Sequence, residues 1–161
     1  MEENAPEPTD RPPDLKRLFS DLIRFETELC TVVDARLRAE HDLPLSRFEV
    51  MQVIDGHPSC RVHDIAGQLS ITVGGASKLV DRVVASGHAR RRPHPSDGRS
   101  SIVELTESGQ RVLNGATAAV EDELERRLAG ALPARSLLQF SAALTGLRAA
   151  ARQPPSTERT A

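Results

Sequence analysis

The chain has 161 residues but no tryptophan, no tyrosine and only four phenylalanines. Its two cysteines, Cys30 and Cys60, are too few for a disulfide framework. No run of 18 or more apolar residues occurs, which argues against a transmembrane helix. The remaining composition, 39% hydrophobic and 27% charged, is that of a globular protein. The length suggests one domain, or one domain with an oligomerisation element.

The sequence also lacks familiar catalytic motifs. It contains no Gly-x-Ser-x-Gly, no phosphate-binding Walker loop and no His-Glu-x-x-His. The five histidines are scattered over predicted turns and strands. We therefore expect a protein that is not an enzyme and that needs no cofactor.

Both ends of the chain differ in composition from its middle. Residues 1–13 and 152–161 contain proline, glutamate, threonine and arginine with few apolar residues, which predicts disordered tails. The first tail lacks the basic-then-apolar layout of a secretory signal. We therefore expect a cytoplasmic protein with reduced cysteines and no membrane partner.

Positive charge is concentrated in one segment. Residues 70–100 contain six basic and two acidic residues, although the whole chain has a formal net charge of −2. A basic segment on an acidic body indicates a local binding site for a polyanion.

Hydrophobic spacing predicts six helices and one hairpin. Apolar residues recur at helical spacing from 15 to about 40, and a break follows at 41–44. Two strand-length segments, 88–92 and 101–105, flank a turn-rich stretch and predict a hairpin. The later helices are predicted at about 46–55, 61–69, 73–86, 106–128 and 134–151.

Capping residues predict several of these boundaries. Ser46 and Glu49 form a predicted capping box at the start of the second helix. His63 stands at the expected N-cap of the third helix, and Thr72 and Thr106 are predicted N-caps of the fourth and fifth. The expected inner face of the fourth helix is Val73, Ala76, Leu79, Val80 and Val83.

The segment 61–105 combines three features that DNA binding requires. Its two helices are joined by a three-residue turn, which is helix-turn-helix geometry, and the hairpin behind them carries four arginines. A helix fits the major groove of DNA, and arginines can follow phosphates or enter the minor groove. The residues expected to face DNA are Thr72, Gly74, Gly75, Ser77, Lys78 and Arg82 on the second of these helices and Arg90, Arg91, Arg92 and Arg99 on the hairpin.

The paired glycines Gly74 and Gly75 admit two interpretations. Each costs a helix about 1 kcal/mol relative to alanine. The missing side chains either let the backbone approach DNA closely or mark a loosely wound start of the helix. With few long side chains on this face, Ser77 and Lys78 are expected to carry most of the base readout, and DNA shape the rest.

Several short motifs occur together within residues 61–109. They are Lys-Leu-Val-Asp-Arg at 78–82, Arg90-Arg91, Asp97-x-Arg99 and Leu-Thr-x-x-Gly at 105–109. In combination they resemble the MarR family of bacterial winged-helix regulators. The order of the helices outside this stretch also fits, so the resemblance extends over about residues 15–150.

The resemblance implies a homodimer in which the first, fifth and sixth helices interlock and each wing contacts DNA. It also implies that Asp97 pairs with an arginine at the base of the wing, with Arg91 the best candidate, while Arg99 reaches the minor groove. Gly98 stands where the family usually has another charged residue, which leaves a more flexible tip. The alternative to a dimer is a closed monomeric bundle.

The resemblance further implies a small, often aromatic or anionic, ligand between the first, second and fifth helices. The alternative is that the apolar residues there are simply core. The residues expected at such a pocket are Phe25, Leu29, Val33, Arg36, His41, Phe48 and Met51.

Two other candidate sites can also be explained as ordinary parts of the structure. Cys30 could sense oxidants, since some members of the resembled family use a cysteine on the first helix, although theirs lies nearer the helix start. A buried thiol on an apolar face is otherwise a small core residue. His57, Cys60 and His63 have the spacing of a metal motif, but a closed zinc site needs a fourth ligand, so we expect a polar loop without a metal.

The sequence therefore predicts a mainly α protein, a winged helix-turn-helix with long flanking helices. Its expected function is sequence-specific DNA binding as a homodimeric, ligand-modulated transcriptional regulator, a repressor, on a palindromic operator. The alternative is a sensing module that acts through a protein partner and binds DNA weakly. The expected parts are a tail at 1–13, a helical dimerisation region at 14–44 and 106–151, the DNA-binding domain at 45–105 and a tail at 152–161.

Overall fold

The computed structural model describes residues 13–94 and 97–152, without the side chains of residues 94, 97–100 and 152. The predicted tails fall almost wholly outside these residues. The elements are α1 (Leu15–His41), α2 (Leu45–Gly56), α3 (Val62–Leu69), α4 (Val73–Ala85), β1 (Ala89–His94), β2 (Asp97–Leu105), α5 (Glu107–Leu124) and α6 (Ala134–Arg152). The mainly α winged-helix class is confirmed. None of the described helices has the length and apolar character that a membrane crossing requires.

One hydrophobic core lies under the helix-turn-helix and the wing. It extends from the second half of α1 to Ala116 in the middle of α5, and its members pack as one cluster. Leu37, Met51, Ile65 and Val80 are fully buried in it. The helix-turn-helix and the wing therefore share one core with α1 and α5, and this core holds α4 in a fixed orientation.

Helix α2 begins earlier than its local sequence predicts. Pro44 is the N-cap, with φ −62°, and no side chain of the predicted capping box caps the helix. Asp34 of α1 instead accepts a hydrogen bond from the Leu45 N–H at 2.8 Å. The predicted box of Ser46 and Glu49 is therefore wrong, because the fixed φ of proline starts the helix at Leu45 and a distant carboxylate satisfies its free N–H.

The start of α3 also differs from its prediction, whereas the start of α4 agrees. Arg61 is the N-cap of α3, and its N–H donates to the Asp64 carboxylate at 2.8 Å, so His63 is not the cap. The acidic side chain in the first turn can satisfy a free N–H, which His63 does not do here. Thr72 caps α4 as predicted, since its hydroxyl oxygen accepts from the Gly75 N–H at 3.1 Å.

The base of the hairpin is bonded to the loop between α2 and α3 and packs against α5. Its strands are antiparallel, with Ala89 opposite Leu105, and the Val103 N–H donates to the Cys60 carbonyl at 2.8 Å. Thr106 caps α5 as predicted. A Cβ at Gly109 would collide with the His88 carbonyl, so the Leu-Thr-x-x-Gly motif reflects close packing of α5 against the base of the wing.

The outer helices contribute little to this core. No described residue within 13–32 or 124–152 is buried. Their large apolar side chains are instead open to solvent, and Leu15 and Leu138 are 73% and 72% exposed. A π-helical turn, Glu125–Ala129, follows α5 where the sequence predicts a regular helix to residue 128.

Candidate nucleic-acid interface

Helix α4 presents a polar face opposite its buried one. Ala76, Val80 and Val83 are buried in the core, as predicted. Lys78 and Arg82 point to solvent on the other side. Among the other predicted contact residues of this helix, Thr72 and Gly74 are exposed, whereas Gly75 and Ser77 are half-buried.

Val73 departs from its predicted place on the inner face of α4. Its side chain is 43% exposed, because it lies in the first turn, beyond the edge of the core. The neighbouring Gly74 is open, and a Cβ built on it would meet no atom within 4 Å. The start of α4 is therefore an exposed surface with little side-chain bulk.

Two of the wing arginines are paired within the hairpin. Arg90 and Arg92 both reach Glu104 on the opposite strand, at 3.2 and 3.3 Å. Loss of hydration works against the ionised form of Glu104, but the hydrogen bonds from Arg92 and Arg90 outweigh it and lower its pKa. The hairpin therefore keeps two guanidinium groups at its surface around one carboxylate, with a net positive charge.

The base of the wing is tied to α4. Arg91 Nη2 donates to Asp81 Oδ1 at 2.7 Å, and its Nη1 donates to Ser101. The side chains of Asp97 and Arg99 lie outside the described residues, so the predicted Asp97 pair and the predicted minor-groove contact stay predictions. The Arg91–Asp81 pair joins wing and helix into one surface.

The predicted ligand-pocket residues do not share one cavity. Phe48 and Met51 are buried in the core, and so is Val33. Phe25 and Leu29 line an open cavity of about 510 Å³ on the first half of α1. The two polar members lie elsewhere: Arg36 is ion-paired with Asp122 at 2.6 Å, and the ring of His41 lies against Gly115 of α5.

Another cavity lies where α1 passes the π-helical turn and α6. Its volume is about 270 Å³, and its lining is almost entirely apolar, with Phe25, Leu128 and Phe140 among its walls. Arg127 and Asp21 supply its charged groups. Sequence reasoning missed it because it depends on how α1 packs against two elements far from it in sequence, one of them the unpredicted π-helical turn.

Arg127 also belongs to an ion cluster centred on Glu123, a residue only 6% exposed. Glu123 accepts hydrogen bonds from Arg127 at 3.0 Å, Arg126 at 2.6 Å and Arg36 at 3.4 Å. The hydrogen bond from Arg127 lowers the pKa of Glu123, and the neighbouring positive charges act in the same direction against the effect of burial. Because Arg36 is on α1, the cluster joins α1 to the end of α5.

Neither cysteine has the environment of a reactive thiol. Burial, with a smaller effect of Asp64, raises the pKa of Cys60 to about 11. The pKa of Cys30 is also raised, by burial and by Glu26, so the thiolate needed for oxidation is disfavoured. Among the described residues, no group of three or more histidines, cysteines or carboxylates is placed to hold a metal ion.

A helix-turn-helix followed by a two-stranded wing, with basic side chains on both, defines the winged-helix class of domain. Residues 41–100 match the model of the MarR family. The predicted resemblance to this family is thus confirmed over this stretch.

Individual relatives agree with this resemblance. The chain is 28% identical over 74 residues to the uncharacterized HTH-type transcriptional regulator YfiV of Bacillus subtilis, a match that covers 46% of each protein. The matches span about half the length of the curated relatives.

Solved structures show the same fold over most of the chain. Sco3205, a MarR family transcriptional regulator from Streptomyces coelicolor in complex with DNA, has a TM-score of 0.79 at 21% identity, with 94% of this chain and 96% of that one covered. CouR from Rhodococcus jostii, bound to p-coumaroyl-CoA, has a TM-score of 0.71 at 21% identity, with 83% and 91% covered.

Proposed function

We propose that this chain is a sequence-specific DNA-binding transcriptional regulator. The observation that carries the proposal is the joined surface of α4 and the wing. Lys78 and Arg82 are exposed on α4, and the Arg91–Asp81 pair holds the wing beside them. This arrangement suits a helix in the major groove with arginines on the adjacent backbone. The structure of Sco3205 in complex with DNA supports this use of the fold.

The regulator acts as a homodimer whose dimerisation region is formed by residues 14–44 and 106–151. The exposed apolar face of α1 and α6 supports this, because large apolar patches on soluble proteins mark interaction sites. Fully burying one leucine, isoleucine or phenylalanine side chain contributes about 1.5–3 kcal/mol. A second copy provides the same apolar face, and two-fold symmetry then presents two α4 helices to an inverted repeat.

A small ligand releases this regulator, a repressor, from its operator. The cavity of about 270 Å³ beside α1, the π-helical turn and α6 is the better candidate for the ligand than the predicted pocket, because it is open and apolar, with Arg127 and Asp21 as its charged groups. The ligand-bound structure of CouR supports ligand binding within this fold. A ligand can shift the protein only through different affinities for the DNA-binding and non-binding forms.

Selection of binding sites from a random duplex pool tests the proposal. The full chain should enrich an inverted repeat whose half-sites lie about one helical turn apart. A Lys78→Ala, Arg82→Ala double variant, which changes only exposed side chains, should enrich no site while keeping the circular dichroism of the parent. Binding by the parent that is equal on all sequences would contradict a sequence-specific regulator.

A further inference from the structure

The large apolar side chains that the described residues expose fall into two separate sets. Ten of the twelve lie on α1, on α6 and in the turn before α6, where they form the proposed dimer face. The other two are Ile71, 38% exposed, and Val73, 43% exposed, on either side of the N-cap of α4. This second patch is far in sequence from the dimer face and lies on the proposed DNA-binding element.

The turn holds the patch in a fixed shape. Ser70 adopts the left-handed conformation, with φ 54°, and the Ile71 N–H donates to the Ala66 carbonyl at 3.0 Å. The Thr72 hydroxyl oxygen accepts from the Gly75 N–H. Both apolar residues are β-branched, so their side chains have few rotamers to lose on binding. The patch is therefore ordered before any partner arrives.

Polar groups for reading bases are few around this patch. The Thr72 hydroxyl oxygen accepts from the backbone, which leaves its single proton to donate, while Gly74 has no side chain and Ser77 is half-buried. Lys78 and Arg82 are the exposed cations on the same helix. A partner that suits this surface presents small apolar groups beside negative charge.

The major groove of DNA offers that combination, because each thymine carries a 5-methyl group and each nucleotide a phosphate. We infer that Ile71 and Val73 are specificity-determining residues that contact thymine methyl groups in each half-site. This inference rests on the proposed DNA-binding function. It assigns sequence readout to two apolar side chains, with Lys78 as their polar neighbour.

Replacing thymine by uracil removes only the methyl group and therefore tests the inference. The duplex enriched from the random pool is prepared once with thymine and once with uracil, and both are titrated with the full chain at one salt concentration. The thymine duplex should bind more tightly by about four-fold for each buried methyl group. Ile71→Ala and Val73→Ala should each reduce this thymine preference, and the double variant should reduce it to near one.

Two further variants separate the apolar contact from other effects. Val73→Thr keeps the shape of the side chain but replaces one methyl by a hydroxyl, so it should retain part of the preference. Lys78→Ala should weaken binding to both duplexes equally. The preference left in the Ile71→Ala, Val73→Ala double variant measures any effect of uracil on the DNA alone.

The possible failures are distinguishable. If the parent enriches no duplex, the proposed function fails and the inference fails with it. If the parent binds one sequence specifically but equally well with thymine and uracil, or if the alanine variants keep the full preference, the inference alone is overturned. Unchanged DNA binding by an Ile71→Asp, Val73→Asp variant also overturns it and assigns the patch to a protein partner instead.

Discussion

Glu123 shows how one residue can join two helices. It lies at the end of α5 and accepts hydrogen bonds from Arg126 and Arg127 of the π-helical turn and from Arg36 of α1. A carboxylate this buried is stable only when it is paired, so the three guanidinium groups are a structural requirement. The i,i+4 pair with Arg127 can be read from the sequence, but the link to Arg36, 87 residues away, cannot.

We predict that Glu123→Gln lowers the midpoint of thermal unfolding by about 2–4 °C at pH 7. The lowered pKa of Glu123 means that its contribution to stability is complete above its unfolded-state pKa and is lost as the pH falls through its folded-state pKa. The difference between parent and variant should therefore shrink below about pH 4.

Melting curves of parent and variant from pH 7 to pH 3 measure this difference. Glu121→Gln, at an exposed position on the same helix, is the matched control and should melt like the parent. If the midpoints of parent and Glu123→Gln differ by the same amount down to pH 3, the shape of the Glu123 side chain, and not its charge, determines the effect.

At the scale of the element, boundaries set by neighbouring residues could be predicted and boundaries set by distant residues could not. Thr72 and Thr106 cap their helices through N–H groups three residues away, as their sequence indicates. The start of α2 instead depends on Asp34 of another helix, which no local pattern reveals. The exposure of Val73 was missed for a related reason, because helical periodicity does not show where the core ends.

The start of α4 allows the two interpretations of its glycines to be separated. A Cβ at Gly74 meets no atom within 4 Å, so Gly74→Ala should stabilise the fold by up to about 1 kcal/mol. If the backbone approaches DNA closely here, the same variant should bind the selected duplex more weakly, because the added methyl stands between them.

Urea unfolding and a DNA titration of the same preparation provide both quantities. Gly67→Ala on α3 is the control, since a Cβ there also meets nothing, and it should gain stability with little change in affinity. Undiminished affinity of Gly74→Ala would favour the loosely wound helix start over close approach.

At the scale of the whole molecule, the fold divides into a part with a core and a part without one. The winged-helix domain is packed around residues of α1 to α5, whereas the first half of α1 and all of α6 expose apolar side chains. The order of the helices and the excess of apolar outer faces could be predicted from spacing. The cavity beside Arg127 could not, because it depends on how α1 packs against the π-helical turn and α6, which are far from it in sequence.

Acidic substitutions on the outer helices should break the proposed dimer without unfolding the chain. Phe19 and Leu138 are 64% and 72% exposed and are not part of the core, so Phe19→Asp with Leu138→Asp should convert two-chain particles into single chains. Sedimentation velocity at micromolar concentration measures this change. Ile71→Asp with Val73→Asp, equally acidic but outside the dimer face, should sediment like the parent, and a parent that sediments as a single chain would refute the dimer.

The central claim is that two copies of α4 occupy two successive major grooves of one duplex. A hydroxyl-radical footprint of the full chain on its selected duplex tests this most directly. We predict two protected patches related by a two-fold axis on one face of the duplex, with centres about one helical turn apart. Further protection in the adjacent minor grooves should mark the wings. A single patch, or uniform weak protection along the duplex, would contradict the account.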